Sequence, residues 1–224
     1  MKTMTQSDYW NDLHVVNEFE NYPHPKYWED FLRGFKDPFN LKLLDLGSGA
    51  GRNSELSLKL GFDVYACDYH TEMVNATRKK FSTFGFSDRY TENRVIKADF
   101  QNVPYKNSQF DVVIASGVLH NGNSIQILEN GISEISRILK HGGFLCLNIF
   151  VANGGESKLK KALNGPIYFN NLGLPMILLT YQQVLELLQK NKIEPNGQVH
   201  EYSSKTSEGA RDVLRGVFIR LGSP

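Results

Sequence analysis

The chain has 224 residues, with 25 Lys and Arg against 24 Asp and Glu, for a formal net charge of +1. That length suits one domain with additions, or at most two. Balanced charge with no charge block argues against a large nucleic-acid surface, and no apolar run is long enough to span a membrane. With no signal peptide, the expected compartment is the cytoplasm. Its two cysteines, Cys67 and Cys146, then read as reduced core residues rather than a disulfide or metal pair.

The first forty residues stand apart. Tyr9, Trp10, Phe19, Tyr22, Tyr27, Trp28 and Phe31 fall within 23 positions. Asp8–Phe19 and Lys26–Gly34 read as two short helices, broken by Pro23 and Pro25 around His24. The spacing predicts a helical cap over residues 1–40 and a main domain over 41–224. Leu41, Leu43, Leu44 and Leu46 predict a buried strand over 42–47. Gly47, Gly49 and Gly51 follow, and Asn53 or Ser54 then caps a helix over 53–60. Next come a strand over 63–68, a helix capped by Thr71 and reaching Phe84, and a strand over 94–99. After the polar turn Pro104–Gln109 a strand covers 111–116. A helix from Ile125 to Leu139 carries Ile132, Ile135, Ile138 and Leu139 on one face. His141-Gly142-Gly143 ends it, and a strand over 144–150 follows.

Residues 151–180 differ again, with Gly154, Gly155, Gly165, Pro166, Gly173 and Pro175. A short basic helix is expected over Lys158–Leu163, then the apolar run Pro175–Leu179. A connection this long between sheet elements reads as a functional insertion, a lid. A helix over Tyr181–Lys190 precedes strands at Gly197–Ser204 and Val213–Leu221, joined through Lys205–Arg211. Alternating strands and helices predict an α/β, doubly wound, mostly parallel sheet with right-handed crossovers.

Five stretches carry a resemblance. Asp45–Gly51, DLGSGAG, resembles the first motif of class I S-adenosylmethionine-dependent methyltransferases. Asp63–Asp68, DVYACD, is a strand ending in an acid 19 positions after Gly49. Val95–Phe100 (VIKADF), Phe110–His120 (FDVVIASGVLH) and Ile135–Ile149 (ISRILKHGGFLCLNI) resemble the family's later strand motifs. The likeness covers Leu41–Ile149. It implies a seven-stranded sheet whose last, antiparallel strand inserts between strands five and six. The Gly-x-Gly-x-Gly spacing and that terminal hairpin both argue against an NAD oxidoreductase. The form GAGRNS also resembles the first motif of tellurite-resistance-type methyltransferases.

The resemblance implies S-adenosylmethionine as cofactor and S-adenosylhomocysteine as product. Gly47, Ser48, Gly49 and Gly51 would hold its ribose and methionyl parts, with Asn53 beside them. Asp45 would face the ammonium and Asp68 the ribose hydroxyls. Asp99 and Phe100 would meet the adenine edge, Tyr69 and Met73 its face, and Ser116 and Gly117 the far wall. Each acid has a plain alternative as a turn or capping residue. Methyl transfer needs in-line positioning and exclusion of water more than acid–base chemistry. If a base is used, His120 just past strand four is the catalytic candidate, with His24 second; an ordinary histidine pKa suits that task. His120 has an alternative as a mere lining residue. No histidine pair has metal-ligand spacing. The aromatic first segment and the apolar insertion together predict a mostly apolar pocket for a small-molecule methyl acceptor. Nucleic acid and membrane are disfavoured as partners, and a monomer or homodimer is expected. The rivals are an RNA (tRNA) methyltransferase and a non-catalytic S-adenosylmethionine-binding protein.

Overall fold

The chain is described by a computed structural model over residues 4–24, 26–154, 159–206 and 209–222. The leucine run makes β1 (Lys42–Leu46), buried from its second residue onward. It pairs in parallel with β2 (Asp63–Asp68) on one side and β4 (Phe110–Ser116) on the other. β3 (Val95–Lys97) extends the sheet beyond β2, and β5 (Leu139–Val151) lies beside β4. Two strands complete that side, β10 (His200–Thr206) at the edge and β11 (Gly209–Arg220) next to β5. The order is β10-β11-β5-β4-β1-β2-β3, with β11 antiparallel between β5 and β10. The expected seven-stranded, doubly wound sheet with its inserted antiparallel strand is therefore present. An eighth strand, β9 (Ile193–Pro195), pairs with the end of β11 and was not anticipated.

Helices cover both faces. α4 (Arg52–Lys59), α5 (Thr71–Thr83) and α3 (Lys26–Leu32) bury Leu56, Phe81, Trp28 and Leu32 against Leu43, Val64 and Val112. On the other face, α7 (Ile125–Ile138) and α8 (Tyr181–Lys190) bury Ile132, Ile135, Val184 and Leu188 against Leu44, Val113 and Leu145. Strands buried on both faces explain the unbroken apolar runs in the sequence. The N-terminal α1 (Gln6–Trp10) and α2 (Leu13–Asn21) set Val15 and Val16 against Ala50 and Met73. They thus sit at the carboxyl end of β1, over the glycine turn.

Local structure departs from expectation in six places. The single helix over Asp8–Phe19 is two, because Thr5 forms a capping box with Asp8, and Asp12, accepting from the His14 N–H, caps a second start at Leu13. His70, not Thr71, holds the cap position of α5; Thr71 is already helical and its hydroxyl accepts from Lys97. A polar helix, α6 (Asp88–Arg94), follows a Ser87 cap. It has almost no apolar stripe to betray it, and instead stacks Tyr90 on Phe86 with ring centroids 4.6 Å apart. α7 stops at Ile138, and Lys140–Gly143 is a bulge inside β5 rather than a helix end. Pairing jumps from Phe110–Leu139 to Val112–Phe144, and Gly142 takes φ +75°. The insertion holds a small antiparallel sheet, β6 (Lys160–Lys161), β7 (Ile167–Phe169) and β8 (Pro175–Ile177). The expected basic helix is therefore absent over residues 159–163; Lys158 lies outside the described residues. Finally, the terminal hairpin's strands run several residues further into Lys205–Arg211 than expected.

Candidate functional site

The glycine turn leaves β1 at the carboxyl edge of the sheet, where parallel α/β folds bind ligands. Backbone N–H groups of Gly47 and Ser48 both donate to the Cys67 carbonyl at 2.9 Å, tying the turn to β2. The Thr77 hydroxyl donates to the Gly49 carbonyl at 2.8 Å. All three glycines have positive φ, but for different neighbours. A Cβ on Gly47 would lie 2.3 Å from Val118, and one on Gly51 3.0 Å from Thr77. A Cβ on Gly49 would meet nothing nearer than Phe19 at 4.0 Å. Two glycines serve packing, and Gly49 borders open space.

That space is a cavity of about 480 Å³. Its wall includes Gly47, Ser48, Gly49, Asn53, Asp68 and Tyr69 near the turn. Met73, Asp99, Phe100, Ser116 and Gly117 complete the sequence-derived set on it. Asp68 closes one side. One carboxylate oxygen accepts from Gly49 N–H and the other from His70 N–H, both at 2.9 Å. It therefore staples the turn to α5, and its burial pushes its pKa up. Asp99 accepts from the Gln101 N–H at 2.9 Å, a turn acid that also faces the cavity. Tyr69 is half exposed while Met73 is sealed. Asn53 Oδ1 and Ser116 Oγ are buried without a partner, as expected of polar atoms awaiting a ligand.

Asp45 and Gly51 are not on this wall. Asp45 is fully buried and accepts from the Ser54 hydroxyl at 2.7 Å. Burial raises its pKa to about 6, against the lowering effect of Ser54. Gly51 takes the cap position of α4 against Thr77.

A second cavity, of about 580 Å³, adjoins the first. Ser116, Gly117, Asn121, Arg52, Gln6, Trp10 and Phe19 line both. His120 lies on the second alone, stacked on Phe150 with ring centroids 4.1 Å apart. Its Nδ1 accepts from the Phe150 N–H at 3.3 Å, so the neutral ring carries its proton on Nε2. Burial, with Arg211 adding to it, pushes its pKa down to about 3. An imidazole so disposed presents a donor at Nε2 toward the cavity. His24 lies outside both cavities, 3.3 Å from Glu29. His70, the cap residue of α5, also lines the first cavity, with its pKa lowered to about 4 by burial.

Both flanking segments reach over the cavities. The Gln6 side chain donates to the Pro175 carbonyl at 2.8 Å, 169 residues away. Ile177 N–H donates to the His120 carbonyl at 2.8 Å, and Asn121 bridges Met176. Arg52, Arg211 and Arg215 were not anticipated on a cavity wall. Arg52 sits inside the GAGRNS motif, a usable signal. Arg215 lies in a stretch whose sequence shows only strand, and Arg211 in the segment expected to join two strands.

Sheet order, glycine turn and the acids at the carboxyl ends define a class I S-adenosylmethionine-dependent methyltransferase fold. Residues 44–147, just under half of the 224-residue chain, match the family described as Methyltransferase domain. A structure of Burkholderia thailandensis 1,6-didemethyltoxoflavin-N1-methyltransferase with bound 1,6-didemethyltoxoflavin and S-adenosylhomocysteine superposes with a TM-score of 0.62. It is 15% identical and covers 94% of this chain and 85% of its own. A non-reducing polyketide synthase of Penicillium brasilianum is 28% identical over 131 residues, 54% of this chain and 5% of that protein. A probable tRNA methyltransferase 9B of Mus musculus is 25% identical over 162 residues, 71% of this chain and 32% of that protein. The chain thus spans from a twentieth to about a third of these two relatives. S-adenosylmethionine is the superfamily's cofactor, and the first cavity's backbone donors, carboxylates and orphaned polar atoms fit it.

Proposed function

We propose that this chain is an S-adenosylmethionine-dependent methyltransferase acting on a small organic acceptor. The cofactor lies in the first cavity and the acceptor in the second. The observation that carries this reading is the meeting of two cavities along Ser116 and Gly117. When bound, the cofactor supplies an electrophilic methyl group. The Gly47–Gly49 backbone and Asp68 hold its ribose and methionyl parts, Asp99 and Phe100 its adenine, and Tyr69 and Met73 flank the base. Asp45 acts from behind the turn through Ser54. In the second cavity, His120 offers Nε2–H to orient the acceptor, while α1, α2 and the insertion exclude water. Positioning of this kind can supply about 7–11 kcal/mol. The tRNA methyltransferase relative supports a second reading with an RNA acceptor. The near-neutral chain favours the small molecule.

Calorimetry with S-adenosylmethionine, S-adenosylhomocysteine and NAD tests the cofactor. The first two should bind and NAD should not. Asp68→Ala should weaken S-adenosylhomocysteine at least tenfold, since charge-assisted bonds of about 1.5–3 kcal/mol are lost. Unchanged affinity in a folded variant would remove Asp68 from the site.

A further inference from the structure

The second cavity is basic. Arg52, Arg211 and Arg215 stand on its wall, and the only carboxylate among the described residues there is Glu18. Glu18 is exposed and already takes the Tyr22 hydroxyl. Arg211 and Arg215 are four apart on β11 and so project from one face of it. Arg215 lies over the Tyr202 ring at 4.8 Å. Among the described residues, neither Arg52 nor Arg215 has a carboxylate within ion-pair distance. Burial works most against the charge on Arg52, the buried Asp45 carboxylate supports it, and the charge of Arg215 then works against it. Across from Arg215 on β5 is Asn148, on the same wall, and Arg215 Nε is a buried donor with no acceptor among the described residues. Arg211 is buried and Arg52 and Arg215 are half-buried, and guanidinium groups drawn together with part of their water removed cost free energy that an anion offsets. The rings of Tyr9, Trp10, Phe19, Phe150 and Tyr202 share the wall with them. Flat aromatic walls suit a flat ligand, and guanidinium forks suit an oxyanion.

We propose that the second cavity takes a small aromatic acceptor bearing an anionic group, a carboxylate or a phosphate, seated against Arg215. The proposal rests on the reading of this cavity as the acceptor site. It corrects the expectation of a mostly apolar pocket: aromatic and apolar side chains are there, but the polar end is built for negative charge. Arg52, shared with the first cavity, and Arg211 add to the positive field.

The test is calorimetry on protein saturated with S-adenosylhomocysteine. Benzoate, salicylate and indole-2-carboxylate are each titrated against their own amides, with phenyl phosphate as the second anion type. At least one anion should bind tenfold or more tightly than its uncharged counterpart. Arg215→Gln should cut that ratio at least fivefold and leave S-adenosylhomocysteine affinity within twofold. Arg215→Lys, which keeps the charge, should fall between and guards against a folding defect in the first variant. Whether carboxylate or phosphate binds better identifies the anion. Equal affinities for every acid and amide, or a ratio unmoved by Arg215→Gln, would overturn the proposal. So would displacement of the acids by an RNA stem-loop, which would reassign the arginines to a nucleic acid. Failure to bind S-adenosylhomocysteine would sink the cofactor reading alone, because the acid-against-amide comparison also runs on the free protein.

Discussion

Gly49 is the one glycine of the turn whose missing side chain leaves room for something other than protein. Gly49→Ala places a methyl group at the edge of the first cavity, with only the ordinary strain of φ +54°. It should cost about 1 kcal/mol of stability and more than tenfold in cofactor affinity. Gly47→Ala drives its Cβ onto Val118 and should lose more stability, about 1–3 kcal/mol. Chemical denaturation and calorimetry on both variants would separate the two roles; a Gly49→Ala protein that binds normally would show that this glycine does not face the ligand. His120 makes a prediction with a sign. Its proton is taken up by the unfolded chain near pH 6.5 but by the folded one only near 3. Its contribution to stability is therefore whole above about pH 6.5 and is lost as the pH falls toward 3. Asp45 runs the other way. Held at about 6 against about 3.9 unfolded, it contributes below about pH 4, and that contribution is gone above 6. Between pH 4 and 6 the two slopes oppose. In His120→Gln the slope of unfolding free energy against pH should fall by one proton, about 1.4 kcal/mol per pH unit. Denaturant titrations at three pH values within that window check it, and an unchanged slope would mean that His120 is not buried neutral.

The insertion is the element whose form the sequence concealed. Strands of two or three residues are too short for a period to register, and Gly and Pro between them look like loop. α6 escaped for the opposite reason, a helix made of polar residues and held by a stacked pair and a cap. The bulge at Lys140–Gly143 was misread because His-Gly-Gly after an apolar stripe is also how helices end. The strands of the parallel sheet, buried on both faces, were plain, and so were the acids at their carboxyl ends. Arg211 and Arg215 were not, since nothing in a strand's alternation says which face a cavity will open on. Asn170 and Leu174 of the insertion line the second cavity, whereas Pro175–Ile177 are anchored to Gln6 and the backbone at His120 and Asn121. Replacing residues 154–174 by a short glycine linker should keep S-adenosylhomocysteine affinity within about threefold. It should abolish binding of the aromatic acids and leave the molar mass per particle reduced only by the excised residues. Intact acid binding with a halved particle mass would make the segment a subunit contact instead of a wall.

At the scale of the whole molecule, both extremities of the chain converge on one edge of the sheet. α1 closes over the turn, and β11 threads between β5 and β10 to bring its arginines beside Asn148. The order of five motifs along Leu41–Ile149 made the central sheet legible; the convergence of the ends, carried by contacts such as Gln6 with Pro175, was not. Among the described residues no helix is long and apolar enough to cross a membrane. The same sheet seals both thiols. Cys67 and Cys146 are buried, and desolvation pushes each well above the ordinary thiol range. Such sulfurs are unreactive until the chain around them opens. Alkylation by iodoacetamide is thus a built-in clock for two places at once. Cys67 lies at the end of β2, its carbonyl clasped by the turn, and Cys146 in the middle of β5. In the free protein Cys67 should be labelled faster, through excursions of the turn alone. S-adenosylhomocysteine should slow it toward the rate of Cys146, read by peptide mass spectrometry. If the ligand slowed both in equal proportion, the turn would open only when the entire sheet does.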